Sequence, residues 1–480
     1  MTVYDMIVRG GTVVTALESF KADIAIQDGR IAAIGSGLNG DDVIDATGRL
    51  VMPGGVDSHC HLEQLREDGS TDEESFVSGS VSAFAGGTTS VVTFSTQFKG
   101  QRIMPSFVAY QRRAQTAMLD YAFHQIVTDP TQSVIQEDLP ALVAQGVRSF
   151  KVFLTYDPLN LDDAGFLRVL AAARRLGALV TVHCENYAAI AWRTEALLKA
   201  GLTAPKYHAW SRPEVVEREA VQRAIALAEL VGQPIQIFHV SSAGVAEEIA
   251  RAQARGVPVW AETCPQYLVL TEGDMDRPGF EGAKFMFSPS PRGEGEADGL
   301  WRMIQRGVLD VVSSDHSGFC YEGGQGKWVN GKNLPFNGIM NGVPGVGARQ
   351  SLLFSEGVVK GRITPSQFVA LTAFNPARLF GLQQKGRMAP GADADLVIWD
   401  PEKRLKLTNE VMQHAIDYTP YEGMEIIGRP VLTMRRGEIV MKDGCVLAKP
   451  GSGRFIPGAP NDFITSREPV PNGFDAALYA

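Results

Sequence analysis

Eight histidines occur in the 480 residues, and four of them close short apolar runs. His59 and His61 are separated by one residue, so in extended backbone both imidazoles point to the same face and converge. That is a metal-ligand geometry. His183 ends Val180-Thr181-Val182, His239 ends Ile235-Gln236-Ile237-Phe238, and Asp315 follows Asp310-Val311-Val312-Ser313-Ser314. Lys151 stands inside Ser149-Phe150-Lys151-Val152-Phe153, where a lysine is rarely an ordinary solvated cation. Taken singly, each has a bland reading: a lone strand-end histidine is usually a satisfied core or surface group. Together, at the ends of five expected strands, they make a candidate metal centre. His124, His208 and His414 lack such a setting and read as structural. His316, directly after Asp315, admits either reading.

The elements that must position these groups follow from the pattern between them. Short apolar runs at 91–94, 121–127, 149–153, 179–183, 235–240, 258–262 and 310–313, with the run entering His59, give eight expected strands. Amphipathic stretches such as 163–176, 215–230 and 243–254 alternate with them. Alternation on this scale predicts an α/β fold, a (β/α)8 TIM barrel, whose reactive groups gather at the C-terminal ends of its strands. The opening segment is different: short β-rich runs punctuated by turns, with Asp28-Gly29 as a hairpin signal. The same texture returns at 394–399 and 431–440. The two ends are therefore expected to pair into one small β-sandwich domain. The expected division is 1–52 for its first part, 53–384 for the catalytic barrel, 385–450 for its second part and 451–480 for a C-terminal arm. That arm, rich in Gly, Pro and Asn, is expected to lie on a neighbouring subunit or on the barrel.

Composition excludes several classes. The formal net charge is −9 and no long basic run appears, which argues against nucleic acid or an anionic membrane as the main partner. No apolar stretch approaches the ~20 residues that span a bilayer. No secretory signal is visible at the start. The five cysteines are scattered without close-paired spacing, so neither a disulfide framework nor a zinc knuckle is expected and a reducing compartment fits best. The expected localisation is cytoplasmic.

Several motifs then stand together: Gly54-Gly55-Val56-Asp57-Ser58-His59-Cys60-His61-Leu62-Glu63, Lys151-Val152-Phe153-Leu154-Thr155-Tyr156, His183-Cys184-Glu185-Asn186, His239-Val240-Ser241-Ser242, Glu262-Thr263-Cys264-Pro265-Gln266-Tyr267-Leu268, Ser288-Pro289 with Arg292, Ser314-Asp315-His316, and Asn341-Gly342. On these residues the chain resembles the amidohydrolase superfamily and, within it, the dihydropyrimidinase/D-hydantoinase family of cyclic amidases. The resemblance runs nearly end to end. It implies hydrolysis of a ring amide to an N-carbamoyl amino acid at two divalent metal ions, with zinc the first expectation and manganese or cobalt able to substitute. It also implies that His59, His61 and Asp315 hold one metal, His183 and His239 the other, and Lys151 both. For that role the lysine is carbamylated by carbon dioxide to N6-carboxylysine, since an ammonium between two cations is repelled whereas a carbamate offers two anionic oxygens. By the same resemblance Asp315 takes the proton of the attacking hydroxide and passes it to the leaving nitrogen. Tyr156 stabilises the developing oxyanion, Ser288 and Asn341 hold the substrate, largely through backbone groups, and the protein is a homodimer or homotetramer.

The chain departs from the family in two loops expected over the pocket. Hydantoinases usually continue the first motif with Met-Pro-Phe-Gly-Gly, and this chain has Gln64-Leu65-Arg66-Glu67-Asp68-Gly69 and a further acidic run to Glu74. Asp315-His316-Ser317-Gly318 replaces the usual Asp-His-Cys-Pro. Both changes leave the substrate open, with allantoinase or a cyclic imide hydrolase as alternatives. Dihydroorotase is disfavoured because Glu63 stands where that pattern has arginine. A mononuclear deaminase would not need Lys151. Non-enzymatic scaffold relatives have lost metal ligands, and all the ligand positions are filled here.

Overall fold

The structure, a computed structural model, describes residues 3–323, 326–329, 331–332 and 334–465. Eight strands run parallel in chain order: Gly55–Asp57, Thr88–Thr96, Asp120–Ile126, Ser149–Phe153, Leu179–His183, Ile235–Ile237, Val259–Thr263 and Val311–Val312. Most are buried along their whole length, as parallel strands covered on both faces must be. Val92 and Phe94 of the second strand point into the interior with Val56, Leu179, Phe238 and Val311. Val91, between them, packs outward against the helices.

The ring closes at its mouth. Cys60–His61, just past the first strand, pairs in parallel with His316–Ser317, just past the last. Lower down, the buried Arg349 spans the seam, its Nη1 donating to Val56 O at 3.2 Å and Val312 O at 3.0 Å. Asp57 reinforces the join by accepting from Ser314 N at 3.0 Å. The residues between these two joins carry His59 and Asp315.

Local chemistry sets the element ends. The helix Asp163–Leu176 starts where Asp162 accepts from Gly165 N and stops where Gly177 turns left-handed at φ 61°; capping of this kind contributes about 1 kcal/mol. The expected helices at 215–230 and 243–254 are found as Glu214–Val231 and Ala243–Ala254. Two expected strands are shorter than their apolar runs. The run 235–240 is regular strand over Ile235–Ile237 and 310–313 over Val311–Val312, although Phe238 N, Val240 N, Asp310 N and Ser313 N still donate to Val182 O, Glu262 O, Ala261 O and Thr263 O of the neighbouring strands. His239 and Asp315 adopt φ 43° and 46°, backbone that a ladder does not accommodate.

Both chain ends build the second unit. A four-stranded sheet contains Val3–Arg9, Asp23–Gln27, Arg30–Gly35 and Asn39–Asp45. A seven-stranded sheet mixes N-terminal strands such as Leu50–Pro53 with C-terminal ones such as Leu396–Lys406, paired antiparallel through Leu396 and Pro53. Ile24, Ile26 and Val8 of the first sheet share a core with Val51, Leu396 and Met434 of the second, which makes a sandwich. The hairpin at Asp28-Gly29 has φ 52° and 73°, the doubly positive turn that two-residue loops favour. A Cβ on Gly29 would lie 2.7 Å from Arg436 O, so glycine is also required by packing.

The buried Lys385 joins the two units. Its Nζ lies within 3.0 Å of carboxylates on Asp120, Asp393 and Asp395. The described part of the C-terminal arm lies on the barrel: Tyr121 N donates to Arg454 O and Gly458 N to Gly146 O. The rest of that arm, 466–480, lies outside the described residues. Among the described residues no helix is long and apolar enough to cross a membrane.

Candidate metal centre

The strand ends converge as their spacing predicts. His59 Nε2 lies 3.1 Å and His61 Nε2 3.5 Å from the same oxygen, Oδ1 of Asp315. The ligand atoms of these three residues all fall within 4.8 Å of one another. The His183 and His239 rings stand 4.3 Å apart between centroids, and His239 is 5.4 Å from His59. The Lys151 ammonium nitrogen is buried between them, 4.1 Å from the Phe238 ring centroid and 4.9 Å from that of Phe153.

Strain helps to aim these groups. Tyr156, His239 and Asp315 all have left-handed backbone, at φ 68°, 43° and 46°. For residues with a side chain that costs about 1–3 kcal/mol each, and such outliers cluster at functional sites.

A second layer orients the imidazoles. His59 Nδ1 is 2.7 Å from Glu262 Oε1. His183 Nε2 is 2.7 Å from Glu185 Oε2, itself held at 2.6 Å by Arg212 Nη1. His61 Nδ1 meets Gln64 Oε1, and Gln64 Nε2 donates to Thr96 Oγ1 at 2.9 Å. An acceptor on one ring nitrogen holds the proton there and turns the other toward a metal.

The electrostatics suit neutral nitrogen ligands. Burial holds His59 and His239 well below the ordinary imidazole range, with the Lys151 charge adding to the effect. His183 is lowered too, mainly by burial, although Glu185 pulls it back. Burial brings Lys151 down to about 7, against the opposing pull of Asp315 and Glu262. It pushes the Glu262 carboxyl well above its usual range. Among the described residues, Lys151 Nζ, His239 Nδ1 and Glu262 Oε2 are buried without a hydrogen-bond partner. Buried orphans are rare in proteins. The ligand atoms of His59, His61 and Asp315 gathered within 4.8 Å, with the unpartnered Lys151 amine lining the same cavity, fit a divalent metal centre.

His59, His61, Lys151, His183, His239, Asp315, Tyr156, Ser288 and Asn341 all line one cavity of ≈ 720 Å³. Tyr156 packs edge-on to His183 with Arg212 over its ring at 5.2 Å. Burial raises its phenol to about 12. The segment after the first motif forms part of the rim: Gln64, Leu65, Arg66, Glu67 and Asp72 line the same cavity. Glu74 turns away from solvent, fully buried, with Oε2 3.5 Å from His316 Nε2.

The other histidines are engaged elsewhere. His124 bonds Ser149 Oγ and Ser58 O, and His208 bonds Phe287 O while its Nε2 also lies 3.4 Å from Ser288 Oγ, behind the cavity wall. His414 bonds Asn409. His316 accepts from Gly345 N and Val346 N, so it braces the loop rather than facing the cavity.

Sequence reasoning assigned no role to Glu262, Glu185, Gln64 or Arg212. Glu262 carried a readable signal, an acid ending the apolar run Pro258-Val259-Trp260-Ala261. Gln64 and Arg212 carried none.

Residues 50–440 match the amidohydrolase family, and the chain belongs to that family. Within it, the chain is 42% identical over 455 residues to a D-hydantoinase of Geobacillus stearothermophilus, covering 94% of this chain and 96% of the relative. It is 43% identical to a D-hydantoinase of Rhizobium radiobacter, covering 94% and 98%. The crystal structure of a dihydropyrimidinase from Brevibacillus agri superposes with a TM-score of 0.92 at 38% identity, covering 96% of this chain and all of that one. These similarities put the chain in the hydantoinase group of amidohydrolases.

Proposed function

We propose that this protein hydrolyses the ring amide of a dihydropyrimidine or hydantoin-like cyclic amide to an N-carbamoyl amino acid. His59, His61 and Asp315 would hold one divalent ion, zinc first, His183 and His239 would hold a second, and carbamylated Lys151 would serve both. One observation carries this reading: Lys151 is a buried, unpartnered amine whose pKa burial lowers to about 7. A large neutral fraction near neutral pH gives its lone pair access to the carbon of carbon dioxide. Loss of the N–H proton then leaves a carbamate anion.

Bound there, the cations supply Lewis acidity, bringing the pKa of water toward neutrality and polarising the ring carbonyl. Asp315 accepts the proton of the attacking water and returns it to the leaving nitrogen. Tyr156 holds its phenolic proton near neutral pH, the more firmly as burial raises its pKa to about 12, and it donates to the oxygen that becomes negative. Ser288, beside the Tyr156 phenol, and Asn341 hold the amide edge of the ring. Glu262 and Glu185 keep His59 and His183 in the tautomers that ligation needs.

Allantoin or a cyclic imide is the second reading, favoured by the polar rim of Gln64, Arg66 and Lys99. A homodimer or homotetramer in the cytoplasm completes the proposal; five free cysteines fit that compartment. The test is a screen of dihydrouracil, hydantoins, allantoin and cyclic imides with purified protein, with and without added metal, alongside metal analysis. Ring opening with close to two ions per chain is expected. No turnover of any ring amide by metal-loaded protein overturns the substrate class.

A further inference from the structure

Lys327 has no exposed surface, and among the described residues it makes no ion pair. Its Nζ donates instead to three backbone carbonyls: Met340 O at 2.9 Å, Gly342 O at 3.0 Å and Met286 O at 3.3 Å. Below its pKa, which burial lowers to about 7, Lys327 offers three N–H donors and no acceptor, so three converging carbonyls use it completely. Those carbonyls belong to two separate segments. Met286 lies two residues before Ser288, and Met340 and Gly342 flank Asn341.

The segments also touch directly, through Gly342 N and Met286 O at 3.0 Å. Gly342 has φ 140°, and a Cβ there would stand 2.6 Å from Ser317 O, so no side chain at that position could provide the tie. Lys327 itself is absent from the cavity wall, whereas Ser288, Met340, Asn341 and Gly342 line it. Its own backbone N–H bonds Cys320 O at 2.8 Å, which anchors the brace in the loop leading away from Asp315.

We propose that Lys327 is a positioning residue that fixes the spacing between the Ser288 and Asn341 segments and thereby their grip on the substrate ring. The link to substrate rests on the reading above that these segments hold a cyclic amide; the brace itself does not. One polar head drawing three like-oriented dipoles together keeps two loops in register. Without it, Met340 O loses its partner from this lysine, and Met286 O keeps only the bond from Gly342 N.

The test is Lys327→Met, which keeps most of the length and loses every donor, with Lys327→Gln as a milder variant. The probe is the cyclic amide that the wild-type enzyme opens fastest. For Lys327→Met the expected result is a rise in KM of about tenfold or more, a smaller change in kcat, and wild-type metal content. Lys327→Gln should fall between the two. Hydrogen–deuterium exchange should show segments 286–290 and 339–343 loosening together while the segments holding His183 and His239 keep their protection. Unchanged exchange in both segments overturns the brace whatever the substrate is. Loosened segments with unchanged KM overturn its link to substrate. Loss of folding or of metal in both variants also overturns it, since Lys327 would then support the whole barrel. If the wild type opens no ring amide but the two segments loosen together, the brace stands and the substrate reading falls.

Discussion

Glu262 Oε1 lies 2.7 Å from Nδ1 of His59, so an acid on the seventh barrel strand fixes the ring of a ligand carried just past the first. Burial, with Asp315 and Asp57 adding to it, pushes that acid well above its usual pKa, and cations bound at the centre would favour its ionised form. Glu262→Gln keeps the shape and loses the anionic acceptor. Metal affinity should fall about 10–100-fold, measured by competition with a chelator.

Tyr156 makes a prediction of a different kind. Tyr156→Phe removes the phenolic donor and leaves the ring against His183. The expected outcome is a fall in kcat of about 10²–10³-fold with metal content unchanged. Steady-state kinetics together with metal analysis separates this from loss of the centre.

Lys385 should matter to stability rather than to chemistry. Lys385→Met leaves Asp120, Asp393 and Asp395 facing one another in a buried joint with Arg436 as the remaining cation beside Asp120. Removing one partner of a buried ion cluster typically costs about 3–5 kcal/mol. A clear drop in Tm is expected, and addition of metal should not reverse it.

Asp310 gives a pH dependence. Burial raises its carboxyl from 3.8 to about 7, although Ala261 N donates to it at 2.9 Å. Below pH 3.8 both folded and unfolded chains hold the proton. Between 3.8 and about 7 the folded chain keeps a proton that the unfolded chain releases, so stability from this group declines as pH rises. Above about 7 the loss is complete. Asp310→Asn removes that decline, so the Tm difference, variant minus wild type, should be more positive at pH 8 than at pH 5. Thermal melts at the two values decide it.

The barrel was legible from its alternating runs, and the candidate ligands because most of them end or closely follow an apolar run, with Lys151 inside one. The helix at 163–176 was legible to the residue, since Asp162 is a strong start signal and Gly177 a strong stop signal. The regular ladder at 235–240 stops at Ile237, because His239 takes left-handed backbone that pattern alone does not reveal. Asp315, two residues past the run 310–313, does the same. The seam formed by Arg349 joins residues nearly three hundred positions apart, and Lys327 sits in a glycine-rich loop with no periodicity. Their roles exist only in three dimensions. The resemblance to hydantoinases supplied the pairing of ligands with metals, which spacing by itself left open.

The most direct measurement is carbon-13 NMR of metal-loaded protein equilibrated with labelled bicarbonate. The account predicts one carbamate carbon per chain in the wild type and none in Lys151→Ala, which should also lose metal and turnover. An active, metal-loaded wild-type enzyme without that signal, or a Lys151→Ala variant that retains both metal and turnover, would contradict it.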